Sequence, residues 1–205
     1  MAFVLVQHLS PDHESRLVEL LSAKSPIPVV FATDGLAVKR DCIYVVPPDA
    51  TLTIEDEVLR LQSPAPPREH RWPIDTFFAS LANDCGERAV GIVLAGVGSD
   101  GTKGIRAVKE HGGLTLTQAE TDHHALSGMP HSAASTGMID HDHVMLVEAM
   151  PARLAAYREY LVEGATKKDS NGHRHDVQEH LAKITSILHA RSAHDFSGYK
   201  AATLM

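Results

Sequence analysis

A repeated unit most constrains what this chain can fold into: a short apolar run, a turn rich in Gly, Pro or Asp, then an amphipathic helix. Residues 90–95 (VGIVLA) are the clearest run. They feed the turn 96–101 (GVGSDG) and a helix over residues 102–111, which Gly112 and Gly113 end. A run that is apolar throughout suits a strand covered on both faces, because a half-exposed strand would alternate. Residues 2–7 (AFVLVQ) have the same character. A turn at residues 8–12 follows, then a helix over residues 14–23 with Leu17, Val18, Leu20 and Leu21 on one face. Residues 27–31, 43–46, 114–117 and 144–147 give further strands.

Pro73 opens a helix that turns Ile74, Phe77, Phe78 and Leu81 inward. A short helix starts near Pro130, and an alanine-rich one covers residues 151–163. Residues 52–54 and 58–61 flank the acidic 55–57 as an antiparallel hairpin, and residues 63–71 (SPAPPREHR) form a proline-rich loop. Strands alternating with helices predict an α/β fold: a doubly wound, mostly parallel sheet with helices on both faces and one antiparallel hairpin. This domain is expected over residues 1–162, a polar linker over 163–176, and a helical extension over 177–205 with Leu181, Ile184, Ile187 and Leu188 on its apolar face. The first residues already form a buried strand with no polar lead-in, so the α/β domain is expected to be incomplete at its N-terminus.

Acidic residues outnumber basic ones, 26 to 19, for a net charge of −7. Phosphates repel such a surface, which argues against nucleic-acid or anionic-membrane partners. No apolar stretch approaches the roughly 20 residues that span a bilayer, and residues 2–6 lack a basic leader. A cytoplasmic chain is expected. Cys42 and Cys85 lie far apart and are read as small buried residues, not a disulfide or metal site. His123, His124, His131, His141 and His143 cluster in sequence. Without a helical His-x-x-x-His pair they are read as a solvated polar loop, and neither metal nor cofactor is expected.

The turn spells Gly96-x-Gly98-x-x-Gly101 between a strand and a helix, the context of a dinucleotide fingerprint. Asp100 stands where the pyrophosphate would bind, and several strands precede the motif, so cofactor binding is disfavoured. A plainer reading makes the glycines a tight turn and Asp100 the N-cap of the helix after it. A third reading uses position. Loops at the carboxyl ends of strands carry the chemistry of open α/β sheets, and His8 and Asp100 each follow such a strand. With those strands close in the sheet, Asp100 accepts the Nδ1 proton of His8, leaving Nε2 to act as base. Asp12 and Asp75 are read as helix caps or early-turn acids.

Residues 4–8 (VLVQH) with 9–11 (LSP), 94–104 (LAGVGSDGTKG), 118–120 (QAE) and 128–130 (GMP) resemble, in order, the catalytic domain of chemotaxis protein-glutamate methylesterases. Residues 71–77 (RWPIDTF) resemble that family's Pro-x-Asp segment before a helix. The resemblance covers residues 1–150. It implies a hydrolase of chemotaxis signal transduction that removes methyl groups from glutamyl methyl esters on chemoreceptor tails, releasing methanol. It also implies that His8 is the catalytic histidine and Asp100 the triad aspartate. Val97 falls where the family has a methionine lining the oxyanion site, and Gly98, Gly128 and Met129 are the neighbouring pocket positions.

The family's serine lies on a G-x-S-x-G-G elbow upstream of the histidine strand, and no such motif occurs in these 205 residues. Ser10, Ser99 and Ser127 are nearest the matched motifs and lack that context. The elbow strand is expected between the His8 and Asp100 strands. Residues 194–204 (HDFSGYKAATL) resemble the start of a chemotaxis-type methyltransferase helical domain, as in methylesterase–methyltransferase fusions. The alternative function is a non-catalytic interaction module of a chemosensory pathway.

Overall fold

The structure is a computed structural model that describes residues 1–8, 15–63, 72–119 and 128–170, with side chains of the last helix described to residue 164. The expectations for Ser10, Asp12, His123, His124, Ser127, most of the proline-rich loop and residues 177–205 lie outside the described residues.

Strands β1 (Phe3–Leu5), β2 (Val29–Phe31), β3 (Leu36–Ala37), β4 (Ile43–Val45), β5 (Thr51–Glu55), β6 (Val58–Gln62), β7 (Val90–Val93), β8 (Leu114–Gln118) and β9 (Val144–Met145) are joined by helices α1 (Leu17–Ser22), α2 (Pro73–Cys85), α3 (Thr102–Glu110), α4 (Met129–Ala134) and α5 (Met150–Ser170). The strands form three sheets of three. Two are parallel, in the orders β1-β4-β2 and β7-β8-β9, with registers such as Phe3↔Ile43 and Val90↔Leu114. The third is antiparallel, in the order β3-β6-β5. The parallel pairing is that of an α/β fold. Among the described strands, β1 is hydrogen-bonded only to β4 and β7 only to β8, so both are sheet edges.

The β5–β6 hairpin forms as the sequence predicts, but β3 extends it on the far side of β6. Two residues carry no legible period, so that strand escapes a sequence pattern. The hairpin turn places Asp56 and Glu57 at φ 53° and 59°, a left-handed pair usually filled by Asn-Gly. The Asp84 carboxylate compensates by accepting both amides, at 2.5 Å from Asp56 and 3.2 Å from Glu57.

Helix α2 buries Ile74, Phe77 and Phe78 as its sequence announces, while Leu81, expected with them, is only partly buried against that core and Ala82 is fully buried instead. Burying such large side chains stabilises the fold by about 1.5–3 kcal/mol each. Helix α3 presses Ile105 and Val108 into the same core, with Leu52, Leu59 and Val93. The two helices meet at Gly104, where an added Cβ would stand 2.5 Å from Phe78 Cβ and 3.1 Å from Asp75 Cα. Only glycine allows that approach.

Contacts divide the chain into a unit of Met1–Arg153 and a second of Leu154–Met205. In the second, Tyr157 and Tyr160 stack with centroids 6.1 Å apart. Helix α5 runs on to Ser170, through the first part of the segment read as a linker. After Gly164 nothing up to that point forbids a helix, and alanine and lysine favour one. The strand expected over residues 144–147 is shorter, ending at Met145 before a 3-10 turn over Val147–Ala149. No helix among the described residues is long and apolar enough to cross a membrane.

Candidate active site

The first turns of α2 and α3 lie side by side, and their exposed backbone amides determine where charge can be buried. A helix start leaves four N–H groups without partners. The residue before α2 is Trp72 and the one before α3 is Gly101, and neither caps its own helix with a side chain. Each helix is instead capped by a carboxylate from the other.

Asp100, in the turn before α3, accepts the amides of Ile74 (3.1 Å) and Asp75 (2.9 Å) at the start of α2. Asp75, in the first turn of α2, accepts the amide of Gly104 in α3 at 2.7 Å. The sequence expectation that Asp100 caps the helix following it is therefore corrected. Gly101 occupies that position in the left-handed region at φ 92°, and Asp100 turns away towards α2. The early-turn reading of Asp75 stands, but the helix it caps is the neighbouring one.

Asp100 is 4% exposed. Its Oδ1 also accepts its neighbour Gly101's amide at 2.8 Å, and its Oδ2 meets His8 Nε2 at 2.8 Å. The pair joins residues 92 apart in sequence, one just past β1 and one just past β7. His8 and Asp100 thus come together as their positions after two strands imply. The ring nitrogen differs from the expectation: Nε2, not Nδ1, faces the carboxylate. With Nε2–H donated to Asp100, Nδ1 carries the free lone pair and is the atom able to accept a proton. A flanking sheet position does not dictate which edge of a ring faces its partner, so this detail was not legible. Half of the His8 side chain is exposed.

Burial, and after it the charge of Asp100, push the Asp75 carboxyl above its ordinary value, while hydrogen bonds from Gly104, Lys103 and Gly101 pull the other way. The positive ends of two helices favour negative charge here.

Val97, Gly98, Gly128 and Met129, the positions expected around the oxyanion site, lie in two segments joined by backbone contacts. Val97 makes an antiparallel bridge to Gly128, and the Met129 amide donates to the Gly96 carbonyl at 2.9 Å. The Ser132 hydroxyl donates to the Gly98 carbonyl at 3.2 Å. A side chain on Gly96 would collide with Met129 Cε. Val97 itself is 97% exposed, an apolar side chain projecting from the turn that carries Asp100. Gln118 accepts the Ala95 amide through its side-chain oxygen at 2.9 Å. Ser132 and Gln118 were not singled out from sequence. Gln118 stands in the QAE word, which was the available signal.

Among the described residues no hydroxyl is hydrogen-bonded to His8, and Ser99 receives the Thr102 amide through its carbonyl. Cys85 offers no substitute nucleophile: burial, then Asp84, raise its thiol, which favours the unreactive protonated form. Among the described residues no group of three or more His, Cys, Asp or Glu is placed to hold a metal ion. Of the clustered histidines, His143 is buried, with Arg153 Nη2 2.5 Å from its Nε2.

The chain is similar to known proteins over most of its length. The family profile described as CheB methylesterase matches residues 1–154. A protein-glutamate methylesterase/protein-glutamine glutaminase of Anaeromyxobacter dehalogenans is 35% identical over 165 residues, covering 77% of this chain and 46% of that protein. An uncharacterized 104.1 kDa protein of Rhodobacter capsulatus is 41% identical over 124 residues, 60% of this chain but 13% of that protein. The chain thus spans less than half the length of these relatives. The crystal structure of the Thermotoga maritima CheB methylesterase catalytic domain superposes with a TM-score of 0.61 at 28% identity, covering 74% of this chain and 80% of that one.

Proposed function

Because the chain belongs to the CheB methylesterase family, we propose that it contributes the base and the orienting carboxylate for hydrolysis of glutamyl methyl esters on chemoreceptors. One observation carries the reading: His8 Nε2 donates to the buried Asp100 carboxylate at 2.8 Å. Asp100 fixes the tautomer and stabilises the imidazolium as it forms. Nδ1 of His8 takes the proton of a serine hydroxyl as the oxygen attacks the ester carbonyl. It then returns that proton to the departing methoxide, which leaves as methanol. In the second half, Nδ1 deprotonates a water that attacks the acyl-serine, then returns that proton to the departing serine oxygen as the free glutamate is released. Val97, Gly98, Gly128 and Met129 line the side on which the ester would rest.

The serine is proposed to come from a segment outside these 205 residues, on a strand paired with the open edges of β1 and β7. Those edges support this, since an unpaired strand edge is a template for another strand. The partners proposed are methylated receptor tails, with a methyltransferase domain fused in the same protein.

The experiment is methanol release from a methyl-esterified receptor by the full-length gene product. His8→Ala and Asp100→Ala are each expected to lower the rate by roughly 10³–10⁴-fold. Unchanged rates in both variants overturn the assignment. A second reading, a non-catalytic module that binds receptor tails, is favoured by the lack of a hydroxyl on His8 among the described residues. Tail binding without methanol release by that same full-length product would select it.

A further inference from the structure

Resting on that reading of the His8–Asp100 pair, we propose that Asp75 is a positioning residue, whose carboxylate oxygen holds the start of α3 and thereby sets Asp100 where it can aim His8. The argument begins with connectivity. Asp75 takes part in two bonds that run in opposite directions between the helices. Its amide donates to Asp100 Oδ1 at 2.9 Å, and its own Oδ1 accepts from Gly104 at 2.7 Å. Asp100 lies four residues before Gly104 in the chain, so the path closes on itself: Asp100 carboxylate, Asp75 amide, Asp75 carboxylate, Gly104 amide, and back through the first turn of α3.

Closure matters because Asp100 stands in a turn flanked by Gly98 and Gly101, both at positive φ and both lacking the Cβ that would restrict other backbone conformations. Without an anchor on α3, the Asp100 carboxylate would move with that turn, and His8, half exposed and bonded to Asp100, would follow it. Packing reinforces the anchor. The absence of a side chain on Gly104 lets the first turn of α3 rest directly on Phe78 and Asp75. Both carboxylates are buried, Asp75 at 8% exposed and Asp100 at 4%, so water does not readily replace a lost acceptor. This is the logic by which outer groups orient the inner ones of a site.

The test follows the imidazole N–H of His8 by nitrogen-15 NMR in the 205-residue chain, assigned by its loss in His8→Gln, and records its exchange with solvent alongside the Tm. Asp75→Asn keeps an acceptor oxygen and is expected to keep the protected resonance. Asp75→Ala is expected to accelerate exchange on the order of tenfold, the loss of one hydrogen bond's worth of order. A purely structural cap would lower the Tm of Asp75→Ala and leave His8 exchange unchanged in the folded molecules. That result overturns the proposal, as does acceleration in Asp75→Asn equal to that in Asp75→Ala. Should Asp75→Ala fail to fold, Asp75→Glu displaces the oxygen by one methylene, and unchanged exchange there also overturns it. A wild-type chain with no protected His8 resonance breaks the His8–Asp100 pair itself, and the role of Asp75 falls with it.

Discussion

Asp100 keeps 4% of its side chain exposed and collects donors from Ile74, Asp75, Gly101 and His8, whereas the His8 side chain is half exposed and meets one acceptor. The two members of one candidate catalytic pair are therefore held by different means. The carboxylate is part of the frame: removing it orphans the amides at the start of α2. The histidine rests against that frame from the end of an edge strand. Chemistry and stability are thus proposed to be coupled at Asp100 and separable at His8, as the proposed role of His8 as a base reaching a substrate from its exposed side requires.

The largest effect expected from this contrast is on rate. His8→Ala and Asp100→Ala should reduce methanol release alike, while His8→Ala changes unfolding free energy by less than about 1 kcal/mol. Equal stability losses in the two variants, read by urea unfolding, would break the contrast. Next in size is the stability of Asp100→Ala. Leaving buried amides without an acceptor costs about 1–3 kcal/mol apiece before water compensates, so a net loss of about 2–4 kcal/mol is expected. Asp100→Asn keeps an acceptor and should recover part of it.

A smaller effect concerns pH. Burial and Asp100 hold the Asp75 carboxyl above its ordinary 3.8. An acid raised on folding contributes stability that is fully present below its unfolded value and declines as pH rises towards the raised one. Unfolding curves taken upward from about pH 3.8 should therefore fall in the wild type relative to Asp75→Asn; parallel curves would contradict this. The smallest effects lie away from the site. Glu57→Gly relieves a left-handed φ of 59° and is expected to change stability by at most about 1 kcal/mol, because it also removes the 2.9 Å ion pair with Arg88. Lys109→Met removes the exposed hydrogen bond that holds the Asp140 carboxyl below its usual range. The resulting loss, about 0.5 kcal/mol or less, should vanish as pH falls through that lowered value. Neither change should move methanol release.

The amino-acid sequence by itself determined the alternation of strands and helices, the hairpin, the apolar stripe of α2 and the placement of His8 and Asp100 just beyond two strands. Those are matters of local period and turn chemistry, which neighbouring residues decide. It also carried the words that assign the family. Tertiary structure alone decided what Asp100 caps, which nitrogen of His8 it holds, and that Asp75 completes the bracing between α2 and α3. Each of these depends on two helix starts, far apart in the chain, being brought together at Gly104. An unpartnered amide accepts whichever carboxylate packing delivers, and no local pattern records which one arrives. The opening pair was thus readable from its positions, and the way it is held was not.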